Sequence, residues 1–148
     1  KLMTYTYKYP RAALTVDAIV FRKPTSPEVL LIQRANEPYK EMWAFPGGFV
    51  DMQETVEDAV VRELFEETGL SNINLKQYYT FSALERDPRH RTVSVVFVGM
   101  TDTNALAIAG DDAKNTQWFA LDSLPELAFD HAEILEKLLK ESGNLSSK

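Results

Sequence analysis

The sequence predicts an α+β fold, with two helices layered on opposite faces of a mixed β-sheet as an α/β/α sandwich. Two observations predict it. Short runs rich in β-branched and aromatic residues alternate with turn residues along most of the chain, and only two stretches carry helical periodicity. The chain has 148 residues, 45 % of them hydrophobic, which is enough to build one buried core. Residues 1–148 are therefore expected to form a single domain.

The elements follow in order. Residues 12–21 hold Val, Ile and Leu in a strand-like run, and Pro24-Thr25-Ser26-Pro27 makes a turn. Residues 29–34 form a second strand, expected to pair with the first as a hairpin. Residues 42–45 form a short strand, stopped by Pro46-Gly47-Gly48. Residues 55–68 form a helix with Thr55 as N-cap, Asp58 placed to close a capping box, and Gly69 at the left-handed C-terminal position. Val56, Val60 and Leu64 give this helix its core face. Residues 75–84 and 92–100 are two more strands joined by the charged loop 85–91, and residues 117–120 form a last short strand. Residues 130–140 form the final helix, with Ile134, Leu135, Leu138 and Leu139 on one face.

Composition narrows the function. The net charge of −6 argues against a nucleic-acid partner, which needs a basic face. No apolar run reaches the length of a membrane span, so no membrane partner is expected. The chain has no cysteine, so disulfides and thiolate metal sites are excluded, and a cytoplasmic location fits. Met3 would be a natural start, with Lys1 and Leu2 either a remnant ahead of it or native, and no signal-peptide core follows.

The chemistry concentrates between Gly48 and Leu70. At about 100° per residue, Glu63, Glu66 and Glu67 share one helical patch near the helix C-terminus. Their mutual repulsion and the helix dipole both oppose this arrangement, and a hard divalent cation would relieve both costs. A solvated acidic face is the alternative reading of the triplet alone. The surrounding residues favour the metal. Gly48-x5-Glu54-x7-Arg62-Glu63-Leu64-x-Glu66-Glu67-x-Gly69-Leu70 resembles the Nudix box at every defined position. A match of this kind arises by chance at a given start with a probability on the order of 10⁻¹⁰.

The resemblance implies the Nudix fold, residues 48–70 as a loop–helix–loop, and a Mg²⁺-dependent pyrophosphohydrolase, with Mn²⁺ as a substitute. It implies the Gly48 carbonyl and the Glu63, Glu66 and Glu67 carboxylates as metal ligands. It implies Glu54 and Arg62 as an ion pair tying the loop to the helix; an exposed pair between Arg62 and Glu66 is the alternative. The proton acceptor is expected to be Glu66 or Glu67, and after them Glu85, Asp87, Asp111 or Asp112.

Outside the box, Arg86, Arg89 and Arg91 in the 85–91 loop are candidates to bind phosphate by forked hydrogen bonds, joined by His90, and Arg34 is a further candidate at its strand end. A solvated loop tip and an exposed strand-end charge are the alternatives. Trp43 and Trp118 are expected in the core rather than on a base. Phe45, Phe49 and Val50 are expected to pack, and His131 to lie on the surface. The loop, residues 9–17 and residues 127–131 resemble ADP-ribose pyrophosphatases and the Nudix domains of NAD-related regulators. The ADP-ribose branch is often marked by a proline at a set distance past the box, and Pro88 departs from it by lying a few residues further along. The expected substrate is ADP-ribose, cut to AMP and ribose 5-phosphate, by a homodimer. Nucleotide sugars, oxidised nucleoside triphosphates, NADH and dinucleoside polyphosphates are the competing substrates. A sensor that binds a nucleotide without cleaving it is the competing function; against it, the chain ends too soon after the final helix for a DNA-binding domain.

Overall fold

The computed structural model describes residues 4–110 and 113–146. Lys1, Leu2 and Met3, and the candidate bases Asp111 and Asp112, lie outside the described residues. The elements are β1 (Ala13–Arg22), β2 (Glu28–Arg34), β3 (Trp43–Ala44), β4 (Gly47–Phe49), α1 (Val56–Thr68), β5 (Lys76–Phe81), β6 (Thr92–Met100), β7 (Ala113–Ala120) and α2 (His131–Ser146).

The sheet is mixed and runs β3-β2-β1-β6-β5, with β4 paired to β1 and β7 to β2. The expected β1–β2 hairpin forms only at its tip, where Phe21 faces Val29 and Arg22 faces Glu28. The two strands then diverge. β1 runs parallel to β6 from Ala13↔Thr92 to Phe21↔Met100. β2 instead pairs antiparallel with β7 from Glu28↔Ala120 to Arg34↔Ala113. A strand buried on both faces can hold a parallel partner, and β1 has helices on both sides.

Alternation along β1 sorts the core. Val16, Ala18 and Val20 pack toward Ala59, Val60 and Leu64 of α1. Ile19 packs on the opposite face with Ile134, Leu135 and Leu138 of α2. The expected core faces of both helices are thus the buried ones. Trp43 and Trp118 also pack, Trp43 edge-on to Phe119 and Trp118 beneath the Arg22 guanidinium.

Four boundaries differ from expectation. Gly47–Phe49 is a strand rather than a stop, because Gly47 and Gly48 lie against Asp17 and Val16 in the ladder. β7 begins at Ala113 rather than 117, since the long β2 supplies a partner for its polar first half. β5 ends at Phe81, three residues early. α2 runs to Ser146, past its apolar face. No described helix is long and apolar enough to cross a membrane.

Candidate functional site

Two glycines set the site's geometry. A Cβ at Gly47 would lie 2.2 Å from the Val16 carbonyl oxygen, and one at Gly48 would lie 2.6 Å from the Glu63 carboxylate. Glycine at 47 lets β4 press against the β1 backbone, and glycine at 48 leaves room for the Glu63 carboxylate. α1 is held in register by its caps. The Thr55 side chain accepts from the Asp58 N–H at 3.0 Å, and Gly69 takes φ 75° and donates its N–H to the Phe65 carbonyl.

Arg62 organises the acidic patch. Its Nε and Nη2 donate to the two Glu54 oxygens at 2.9 and 2.6 Å, and Nη2 also reaches the Phe49 carbonyl at 3.2 Å. Its Nη1 donates to both Glu63 and Glu66 at 2.8 Å. The ion pair with Glu54 and the pair with Glu66 therefore coexist. The Arg62 bond, and then the Asp51 N–H, pull Glu54 down to about 2. Hydrogen bonding to Glu54 first, with Glu66 and Glu63 adding, raises Arg62 against the cost of burial. Glu67 is buried and its Oε1 accepts the Gly47 N–H at 2.7 Å, so the third carboxylate points back at the glycine loop.

A cleft of about 170 Å³ opens beside this loop. Gly47, Gly48 and Glu67 form one side, and Arg34, Arg89, Phe49 and Phe129 line the others. A second recess of about 320 Å³ continues from it toward Asn36, Asp51 and Glu63. The Arg34 Nε donates to the Pro38 carbonyl at 2.7 Å, and its guanidinium lies 4.9 Å from the Phe129 ring centre. Burial, and then the charge of Arg89, lower Arg34 from the usual arginine value. Arg89 clasps Asp87 through Nε at 3.1 Å and Nη2 at 2.8 Å. Burial pushes Asp87 up, but the Arg89 bonds outweigh it and leave Asp87 below its usual value.

Several candidate residues meet here. Gly48, Glu63, Glu66, Glu67, Arg62 and Glu54 converge on the loop–helix corner, and Arg34 and Arg89 line the cleft together with Gly48 and Glu67. Arg86 also borders the cleft, but its Nε and Nη2 are spent on Asp130 at 2.9 and 2.7 Å. Glu85 is exposed beside this loop, and Arg91 turns back to the Ala83 and Thr92 carbonyls.

Two expectations are corrected. Phe49 does not pack in the core: it is 43 % exposed at the cleft wall, because the β4 pleat turns it away from α1. His131 is not a surface residue. It is 3 % exposed, stacks on Phe45 at 4.6 Å, and its Nδ1 accepts the Phe45 N–H at 3.1 Å. The cause lies upstream of α2. The Trp43 N–H reaches Glu126 O and the Ala128 N–H donates to Trp43 O, which draws residues 126–128 against β3 and turns Phe129 and His131 inward. Phe129 takes φ 54°, a left-handed conformation that bulky residues rarely adopt. Asp17 also lines the cleft and Ser94 bonds to it, yet neither stands among the expected site residues. A single carboxylate inside the apolar run Val16-Asp17-Ala18-Ile19-Val20 was the available signal.

The residues fit a hard divalent cation by donor chemistry. Three carboxylates and one backbone carbonyl gather at a corner where a Cβ would collide. Among the described residues no group of three or more acidic or histidine side chains is drawn together tightly enough to enclose an ion. Arg62 holds Glu63 and Glu66, and the Gly47 N–H holds Glu67.

The NUDIX domain family model matches residues 11–139. An ADP-ribose pyrophosphatase of Methanocaldococcus jannaschii is 43 % identical over 132 residues, which is 89 % of this chain and 76 % of that protein. The Nudix domain of NrtR from Shewanella oneidensis, solved with ADP-ribose, superposes with a TM-score of 0.82 at 31 % identity, over 93 % of each chain. A bifunctional NMN adenylyltransferase/ADP-ribose pyrophosphatase of Francisella tularensis, solved with AMP and a Mn ion, gives 0.77 at 34 % identity, over 91 % of this chain and 43 % of that one. With the box, the sheet order and the glycine-lined corner all in place, this chain belongs to the Nudix hydrolase family.

Proposed function

We propose that the protein hydrolyses the diphosphate bridge of ADP-ribose to AMP and ribose 5-phosphate, with Mg²⁺ as its cofactor. The carrying observation is the corner itself: Gly48 and Glu67 line a cleft that Arg34 and Arg89 also line, Glu63 lines the recess beside it, and Arg62 holds Glu63 and Glu66 together. The kinship with an enzyme and a binding domain that both take ADP-ribose supports this substrate over the competing nucleotides.

Nudix hydrolases generally use divalent metals. The Gly48 carbonyl, Glu63, Glu66 and Glu67 would hold the ion, which when bound neutralises diphosphate charge and acidifies water. The chain's own groups do the rest. Arg34 and Arg89 fix phosphate oxygens in the cleft. Glu54 and Arg62 keep the loop and helix in one geometry while Arg62 releases Glu63 and Glu66 to their ligand. A water oxygen attacks one phosphorus, the bridging P–O bond breaks, and Glu66 or Glu67 takes the water's proton.

The test is Mg²⁺-dependent turnover over a panel of nucleoside diphosphate compounds, with product identification. AMP from ADP-ribose is the expected product, and fast cleavage of another compound alone would move the substrate. Tight binding of ADP-ribose without cleavage would favour the sensor reading, which the likeness to the NrtR domain supports. Glu67→Gln is expected to lower turnover at least tenfold with the fold intact; unchanged turnover would remove Glu67 from the site. A homodimer belongs to this proposal, supported by the exposed side chains Tyr7, Tyr9 and Met52 beside the cleft rim, and sedimentation velocity checks it.

A further inference from the structure

The wall of the cleft that faces α2 carries polar groups that neither metal binding nor phosphate binding uses. Asp17 comes from β1 and His131 from the start of α2, both more than nine-tenths buried and both lining the cleft. The Ser94 hydroxyl donates to Asp17 Oδ2 at 2.5 Å and fixes that carboxylate from β6. The Phe45 N–H donates to His131 Nδ1, so Nδ1 is unprotonated and the proton of the neutral ring sits on Nε2. Burial holds His131 below its usual value and keeps the ring neutral. Nε2 lies 3.8 Å from Asp17 Oδ1. That gap is too long for a direct hydrogen bond. It suits one oxygen placed about 2.8 Å from both atoms, accepting from Nε2–H and donating to Oδ1.

We propose that His131 Nε2 and Asp17 Oδ1 together bind one hydroxyl of the sugar attached beyond the diphosphate, and so select a pentose over a group without hydroxyls. The inference rests on the proposed diphosphatase reading. A hydroxyl both accepts and donates at a single atom, as this pair of groups requires, whereas a phosphate oxygen would be repelled by Asp17. Ser94 is a positioning residue, since it acts through Asp17. A ligand without a hydroxyl at this point would leave both groups to water or unpaired.

His131→Asn keeps an acceptor for the Phe45 N–H and removes the Nε2 donor. The measurement is kcat/KM for ADP-ribose relative to an alkyl ester of ADP that lacks the pentose. The expected result is a fall of about tenfold or more in that ratio. An unchanged ratio in a folded variant overturns the proposal. A wild-type measurement covers a variant that does not fold. The chain has two histidines, so ring ¹⁵N spectra are simple, with His90→Gln assigning the other. Ribose 5-phosphate added to the wild-type protein is expected to shift the His131 Nε2 resonance, and no shift at saturating ligand overturns the proposal. Wild-type protein that leaves ADP-ribose uncut counts against the proposed reaction instead, and the ring spectra still decide this subsite.

Discussion

Gly48 has no side chain because Glu63 fills the space one would need, 2.6 Å from a Cβ built there. The obstacle is the end of a flexible side chain, so Gly48→Ala is expected to fold with little change in Tm while displacing Glu63. Metal-dependent turnover should drop at least tenfold; full activity would show that Glu63 need not sit at the glycine. Glu54 carries a pH signature. Its folded value, about 2, lies below the ordinary 4.5, so its bond to Arg62 stabilises the fold above the ordinary value and fades as pH falls toward 2. Denaturant unfolding of wild type and Glu54→Gln should therefore differ at pH 6 and converge between about pH 4 and 2. A constant gap over that window would mean that Glu54's charge is not what Arg62 holds. At this scale the box residues were legible in the sequence because their spacing is local: residues 48–70, loop and helix, encode their own geometry. Asp17, Ser94 and His131 were not, since they meet only through the β1–β6 pairing and the turn that β3 imposes on residues 126–128.

The elements show the same division. α1 was legible to within a residue because Thr55 and Gly69 punctuate it and Val60 and Leu64 mark its buried face. β4 was not, because a glycine pair reads as a break unless its partner strand is known. The C-terminal end of α1 depends on another distant segment. The Ile108 N–H donates to the Thr68 carbonyl at 2.8 Å and the Gly110 N–H to the Glu67 carbonyl at 3.1 Å, so the segment before β7 caps the turn that presents Glu66 and Glu67. A Cβ at Gly110 would fall 1.6 Å from the Glu66 carbonyl oxygen, and backbone there cannot yield cheaply. Gly110→Ala is expected to strip this cap. Amide exchange should accelerate at Ile108 and Gly110 and turnover should fall, whereas unchanged protection would show that the segment does not cap the helix. Thr55→Ala, at the other end of the same helix, costs about 1 kcal/mol without reaching the carboxylates.

Across the whole molecule, the loop between β5 and β6 is fastened to Asp130, the residue that precedes α2. Arg86 and Asp130 form a two-pronged pair whose side chains are 4 % and 15 % exposed, 44 residues apart in sequence. Removing one partner of a buried pair leaves the other charge without its counter-ion and typically costs about 3–5 kcal/mol. In a chain of this length that corresponds to a fall in Tm of roughly 10 °C. Arg89 lies three residues on but is 37 % exposed, turned to Asp87 and the cleft. The two arginines, alike as candidates in the sequence, therefore separate by consequence. Arg86→Ala should lower Tm by about that amount in calorimetry. Arg89→Ala should raise KM for ADP-ribose about tenfold, because it removes a guanidinium from the cleft; Asp87, 4 % exposed, also loses its counter-ion, so KM rather than Tm separates the two variants. If Arg86→Ala instead melts like wild type and raises KM alone, its fork serves the substrate and Asp130 is only its resting partner.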